Sequence, residues 1–170
     1  MPEPVDVEAI IQRAKELGAV EAKLIDPRTV VTAPWVRLKC QFGCPHYSMR
    51  LCCPPYTPTP EQFQKVLDCY TKAFLVHSKG MEVRPNEIVF ELEQELFFHG
   101  FYRALGLGAG PCWLCKKCNL EQCVHPLQAR PAMEACGIDV YATVRANGYP
   151  IEVVCDRTET PNRYGLILIE

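Results

Sequence analysis

The chain has 170 residues, 48% apolar and 22% charged, with a formal net charge of −2. That length suits one domain with a real core, and a near-balanced charge without a Lys/Arg block argues against nucleic acid as a partner. Apolar stretches fall short of the roughly 20 residues that span a bilayer, and the acidic start MPEPVDVEAI has no basic or apolar leader pattern, so the expectation is a cytoplasmic protein with no membrane association.

Taken in chain order, residues 7–18 place apolar side chains at 7, 10, 11, 14 and 17 and end on Gly18, which predicts a helix and its stop. Residues 19–33 alternate like strands around an Asp26-Pro27 turn. From residue 40 to 60 cysteines and prolines dominate, and the prolines forbid long regular structure. Thr59-Pro60-Glu61 reads as an N-cap with proline at the first helical position, opening a helix through EQFQKVLDCY. KAFLVHS, residues 72–78, reads as a buried strand, and 86–99 as a long helix stopped by Gly100. FYRALGLGAG, 101–110, reads as a strand running into a glycine-rich loop. One or two short helices are expected over 130–148, then two strands, PIEVVCD (150–156) and RYGLILIE (163–170). This order predicts an α/β or α+β fold: a mixed sheet with flanking helices, and two cysteine-rich loops inserted at the ends of that scaffold. The whole chain, 1–170, is expected to be a single metal-binding domain with cysteine-rich segments at 40–56 and 110–136.

Eleven residues are cysteine. The number is odd and the thiols are clustered, so reduced cysteines holding metal are the better reading than disulfides. Residues 112–123 read C-x2-C-x2-C-x4-C, with Pro126 shortly after. Ferredoxin-type loops use such a C-x2-C-x2-C run to wrap an iron–sulfur cluster, with one more cysteine from elsewhere. A single zinc prefers two separated C-x2-C pairs, so iron–sulfur is favoured over zinc. The first segment offers Cys40, Cys44 and the adjacent pair Cys52-Cys53, followed by Pro54-Pro55. Side chains of adjacent residues diverge, so one ligand is expected from that pair, and the prolines behind Cys53 favour it. The expected ligands are therefore Cys40, Cys44, Cys53, Cys112, Cys115, Cys118, Cys123 and Cys136. Eight thiolates match two [4Fe–4S] clusters. In two-cluster ferredoxins the fourth cysteine of the run crosses over, which suggests Cys123 with Cys40, Cys44 and Cys53, and Cys136 with Cys112, Cys115 and Cys118. Cys69 and Cys155 are expected in the core, where a free thiol behaves as a small hydrophobe.

CPHYSMRLCCPPYTPTP together with GAGPCWLCKKC…CVHP…ARPAMEACGIDV resembles an uncharacterised family described as predicted metal-binding proteins, domain of unknown function 2284, found largely in anaerobic bacteria and archaea. The resemblance covers about residues 20–170. It implies metal binding of iron–sulfur type and no established reaction, and Cys52 lies outside its core pattern.

Several residues keep two readings. His46 and His125 either replace a cysteine as ligand or hydrogen-bond to sulfur; His77 and His99 read as ordinary surface or half-buried histidines. Tyr47, Tyr56 and Trp113 either shield a cluster or simply pack. The run Gly106–Gly110 lacks the lysine and serine or threonine of a phosphate loop, so its glycines are read as letting the backbone approach a cluster. Arg130 and Glu134 read as a local salt bridge or cap, or as contacts to a small molecule. The functional expectation is a protein with two clusters passing single electrons to a redox partner protein, with a homodimer possible. The alternatives are an iron–sulfur enzyme with an open iron doing redox or sulfur-transfer chemistry on a small molecule, and a zinc-stabilised interaction module.

Overall fold

A computed structural model describes residues 6–149, 151–156 and 158–170. Its helices are α1 (Val7–Glu16), α2 (Pro34–Gly43), α3 (Pro60–Leu67), α4 (Pro85–Phe98) and α5 (Val140–Ala146). Its strands are β1 (Glu21–Ile25), β2 (Ala73–Lys79), β3 (Leu105–Leu107) and β4 (Asn162–Leu168). The strands form one sheet in the order β1-β2-β4-β3. All three strand pairings are antiparallel, and an isolated parallel bridge, Gly108–Ala132, extends the β3 edge. The class is α+β.

Alternation along the central strands builds the core on both faces of the sheet. Leu75, Leu166 and Leu168 face a cluster with Phe63, Leu67, Met133, Ile138 and Val144. Phe74, Val76 and Ile167 face the other way, against Ala14 of α1 and Ile88, Val89 and Leu92 of α4. Burying one such side chain contributes about 1.5–3 kcal/mol, so the two-sided burial makes β2 and β4 the rigid centre. Helices start where the sequence supplies caps. The Asp6 carboxylate accepts from the Ala9 N–H at 3.0 Å. Thr59 and Gln62 form a reciprocal capping box at α3, with Pro60 in its first turn, and such a cap is worth about 1 kcal/mol.

Two stretches depart from the sequence expectation. Residues 34–43 form α2, a helix absent from the expectation that runs four residues into the 40–60 stretch where prolines suggested irregular chain; Pro34 sits in its first turn, where a missing N–H costs nothing. Residues 151–156 form no strand, and Pro150, which the expected strand included, lies outside the described residues. β4 already pairs with β2 on one side and β3 on the other, so no edge beside it is free for PIEVVCD. Among the described residues no helix is long and apolar enough to cross a membrane.

Candidate metal centre

Nine of the cysteines stand in or beside the two loop regions at one end of this scaffold, and they separate into two groups plus one buried outlier. The first group begins on α2. Cys40 lies in its last turn and Cys44 is its C-cap, with the Cys44 N–H donating to the Cys40 carbonyl at 3.3 Å. Four residues apart on a helix end, the two thiols share a face. Tight turns then fold the chain back. Tyr47 N–H donates to Cys44 O at 3.2 Å, Ser48 N–H to Pro54 O at 2.8 Å and Cys53 N–H to Arg50 O at 3.0 Å. Ser48 takes a left-handed φ of 58° to make the reversal. Cys53 thereby returns to Cys40 and Cys44, and the three line a cavity of about 350 Å³ with Trp35, Glu134 and Tyr141. Burial and then the neighbouring thiols push Cys53 up to about 11. Burial also raises Cys40, helped by Cys44 and by the Glu134 carboxylate.

The second group is Cys52, Cys112, Cys115, Cys118 and Cys123, which line one enclosed depression together with His125. A hydrogen bond between the Cys52 and Cys112 thiols splits their acidities: Cys52 is driven up and Cys112 down. The Leu114 backbone N–H and the positive charge of Arg50 further lower Cys112. Adjacent side chains do diverge at Cys52-Cys53, but each points into a different cysteine group, so the pair serves both. Cys123 stays with its own loop instead of crossing to Cys40, Cys44 and Cys53.

Arg50 sits between the groups. It is only 8% exposed, its Nη1 donates to Cys115 O at 3.0 Å, and its guanidinium lies 5.2 Å from the Trp113 ring centroid. Its charge favours thiolates at Cys53, Cys112 and Cys115. His46 packs edge-on against Trp113 with ring centroids 5.2 Å apart, tying the first loop to the second. His77 stacks on Tyr164 at 4.7 Å and the His99 Nδ1 pairs with Glu95 O at 2.7 Å, both away from the cysteines.

The base of the second loop is clamped to α4. Arg130 makes a two-pronged contact with Glu93, Nε to Oε2 at 2.7 Å and Nη2 to Oε1 at 2.6 Å, and Gly106 N–H donates to the same Oε2 at 2.7 Å. The close approach that glycine permits at 106 and 108 is therefore to α4, since an added Cβ would meet Glu93 and Val89 at one position and Asn86 at the other.

Cys136 lines neither depression. It is 1% exposed, in the core with Phe63 and Met133, and burial pushes its thiol up to about 12. Cys69 and Cys155, expected inside, are exposed; Cys69 follows the end of α3, and Cys155 lies in the segment that forms no strand. Glu134 was read as a cap or a salt-bridge partner. The residue is half-buried, yet its Oε2 is shut off from solvent with no hydrogen-bond partner, and burial raises its carboxyl. The larger groove, about 1020 Å³ between α1 and α4, contains no cysteine.

A family model described as predicted metal-binding protein (DUF2284) matches residues 23–169. The chain belongs to this family. The matched span contains both cysteine groups and every element of the sheet except the first two residues of β1. No curated protein and no solved structure matches the chain. The family description and the chemistry of the donors agree. Thiols select soft metals and iron–sulfur groups, and a buried guanidinium offsets the negative charge that several thiolates bring. Among the described residues no three His, Cys, Asp or Glu side chains converge closely enough for a single ion; the thiols ring their depressions instead.

Proposed function

We propose that the protein is an iron–sulfur protein holding two [4Fe–4S] clusters, one at Cys112, Cys115, Cys118 and Cys123 with Cys52 alongside, and one at Cys40, Cys44 and Cys53. The observation that carries this reading is the division of eight thiols into two neighbouring groups at the Cys52-Cys53 pair. Five thiols around one depression exceed the four that a single zinc accepts, and the C-x2-C-x2-C spacing suits a cluster loop. Bound there, the clusters supply one-electron oxidation and reduction, and the partner is a redox protein. Arg50, held against the Cys115 carbonyl, balances thiolate charge in both groups. Trp113 packs against His46 and Arg50 between the loops, which places a buried guanidinium beside the thiols and so helps set their electrostatic environment.

The deciding experiment is anaerobic purification of the full chain followed by iron and acid-labile sulfide analysis. About eight irons per chain, with matching sulfide and a reducible EPR signal, is the expected result. A colourless protein containing zinc and no iron would sink the proposal and favour the zinc-stabilised module.

One observation favours a second reading, an enzyme. The Cys40–Cys44–Cys53 group opens on a cavity of about 350 Å³ walled by Trp35, Val36, Ile138 and Tyr141, within the size range of small-molecule sites. A small substrate seated there would perturb the spectrum of that cluster and leave the other unchanged.

A further inference from the structure

We propose that Glu134 is the fourth protein donor at the Cys40, Cys44 and Cys53 group, so that this site is held by three thiolates and one carboxylate. The inference rests on the reading that a cluster occupies the group. The ferredoxin-like pairing assigns Cys123 to this group and Cys136 to the other, but Cys123 lines the other depression, Cys136 lines neither, and Glu134 lines this one.

Glu134 and Cys136 lie in a single 3₁₀ turn, Glu134–Cys136. With three residues per turn, positions two apart face different directions, so both side chains cannot meet one site. Several contacts fix which one does. Arg37 Nη1 donates to Ala135 O at 3.1 Å, and the Thr57 hydroxyl donates to the same carbonyl. Ala33 N–H donates to Gly137 O at 2.9 Å. Gly137 takes a left-handed φ of 80°, and a Cβ there would collide with Pro60 of α3. The turn is thus pinned between α2 and α3 in one orientation. In that orientation Cys136 is sealed in the core, while Glu134 lines the cavity with Cys40, Cys44 and Cys53.

The carboxylate itself asks for a partner. Buried polar atoms nearly always find one, and an unpaired buried oxygen is a cost that needs a reason. Glu134 Oε2 is buried with no hydrogen-bond partner, in a residue that lines the cavity with Cys40, Cys44 and Cys53, and Arg163 acts on the carboxylate through its charge alone. A cluster ligated at separate irons by the three thiolates and this carboxylate would give the oxygen its partner. A carboxylate is a harder donor than a thiolate and suits iron less tightly than sulfur does, so this corner is the exchangeable one.

The test compares wild type with Glu134→Gln, Glu134→Ala and Glu134→Cys, all full-length and prepared anaerobically. Iron counting, EPR and Mössbauer spectroscopy are the readouts, and the second cysteine group serves as an internal reference. Glu134→Gln keeps the size of the side chain, so it covers the case in which the alanine variant folds poorly. Supporting results are loss of about one iron in eight from the Gln and Ala variants on mild oxidation, with a [3Fe–4S] EPR signal, and retention of that iron with an altered spectrum in the Cys variant. Gln and Ala variants with the iron content and spectra of wild type would overturn the assignment, as would Cys136→Ser producing the loss instead. Wild-type protein without iron removes the cluster reading itself, an outcome separate from any difference among the variants.

Discussion

The two cysteine groups meet at one peptide bond and are built in opposite ways. The group of Cys52, Cys112, Cys115, Cys118 and Cys123 is an enclosed depression made almost wholly by one irregular loop. The group of Cys40, Cys44 and Cys53 is carried by a helix end and a tight reversal, has fewer thiols, and opens on an apolar cavity. The former gathers five thiols; the latter gathers three and has an unpaired carboxylate oxygen nearby. A loop rich in closely spaced cysteines can close on a metal by itself, whereas a site assembled from distant segments depends on what the scaffold delivers.

The sharpest way to break this comparison is to remove one thiol from each side. Cys112→Ser and Cys40→Ser should each lower the iron content of anaerobic protein by about half. Complete loss of iron in either variant would show one shared site in place of two.

A smaller but still large effect is expected at the clamp under the second loop. Glu93 and Arg130 are a nearly buried pair, their side chains 10% and 13% exposed. Truncating one member leaves the other charge unpaired, at a cost of about 3–5 kcal/mol. Chemical denaturation of Glu93→Ala should therefore shift strongly, and its second cysteine group should lose metal before its first.

The helix that follows the first loop starts on a neutral anchor. Thr59→Ala removes the capping box of α3 and should cost about 1 kcal/mol, read from the denaturation midpoint with iron content unchanged. If the two losses were reversed in size, the contrast between an ionic and a neutral foundation would be wrong.

The smallest effect lies outside both groups. Hydrogen bonds from the Arg28 side chain and backbone lower Asp26 to about 2. A depressed carboxyl contributes stability above its ordinary range and loses it as pH falls through about 2. NMR titration should find that low midpoint, and Arg28→Ala should raise it without changing metal content at either group.

Much of the scaffold was legible in the sequence because its signals are local. The spacing in 7–18 and 86–99, the apolar run of KAFLVHS and the Thr59-Pro60 start all became the elements they predict. α2 was lost among the cysteines and prolines that follow it, although Pro34 is a helix-start signal in its own right. PIEVVCD has strand composition, but pairing is non-local, and the edges of β4 were already taken. At the site, the spacing of 112–123 identified a group that does gather. Divergence of adjacent side chains was foreseen at Cys52-Cys53, but not that a second set of thiols waits on the far side. Neither the interior placement of Cys136 nor the unpaired oxygen of Glu134 leaves a trace in spacing, because both depend on how a 3₁₀ turn is pinned from three directions.

The shared backbone between Cys52 and Cys53 has one more effect. Their Cα atoms are about 3.8 Å apart, so charge gained in one basin is felt in the other at short range; already a thiolate at Cys112 makes a thiolate at Cys53 harder to form. On the two-cluster proposal, positive charge arriving in one basin would relieve the other, so uptake at the two is expected to be linked.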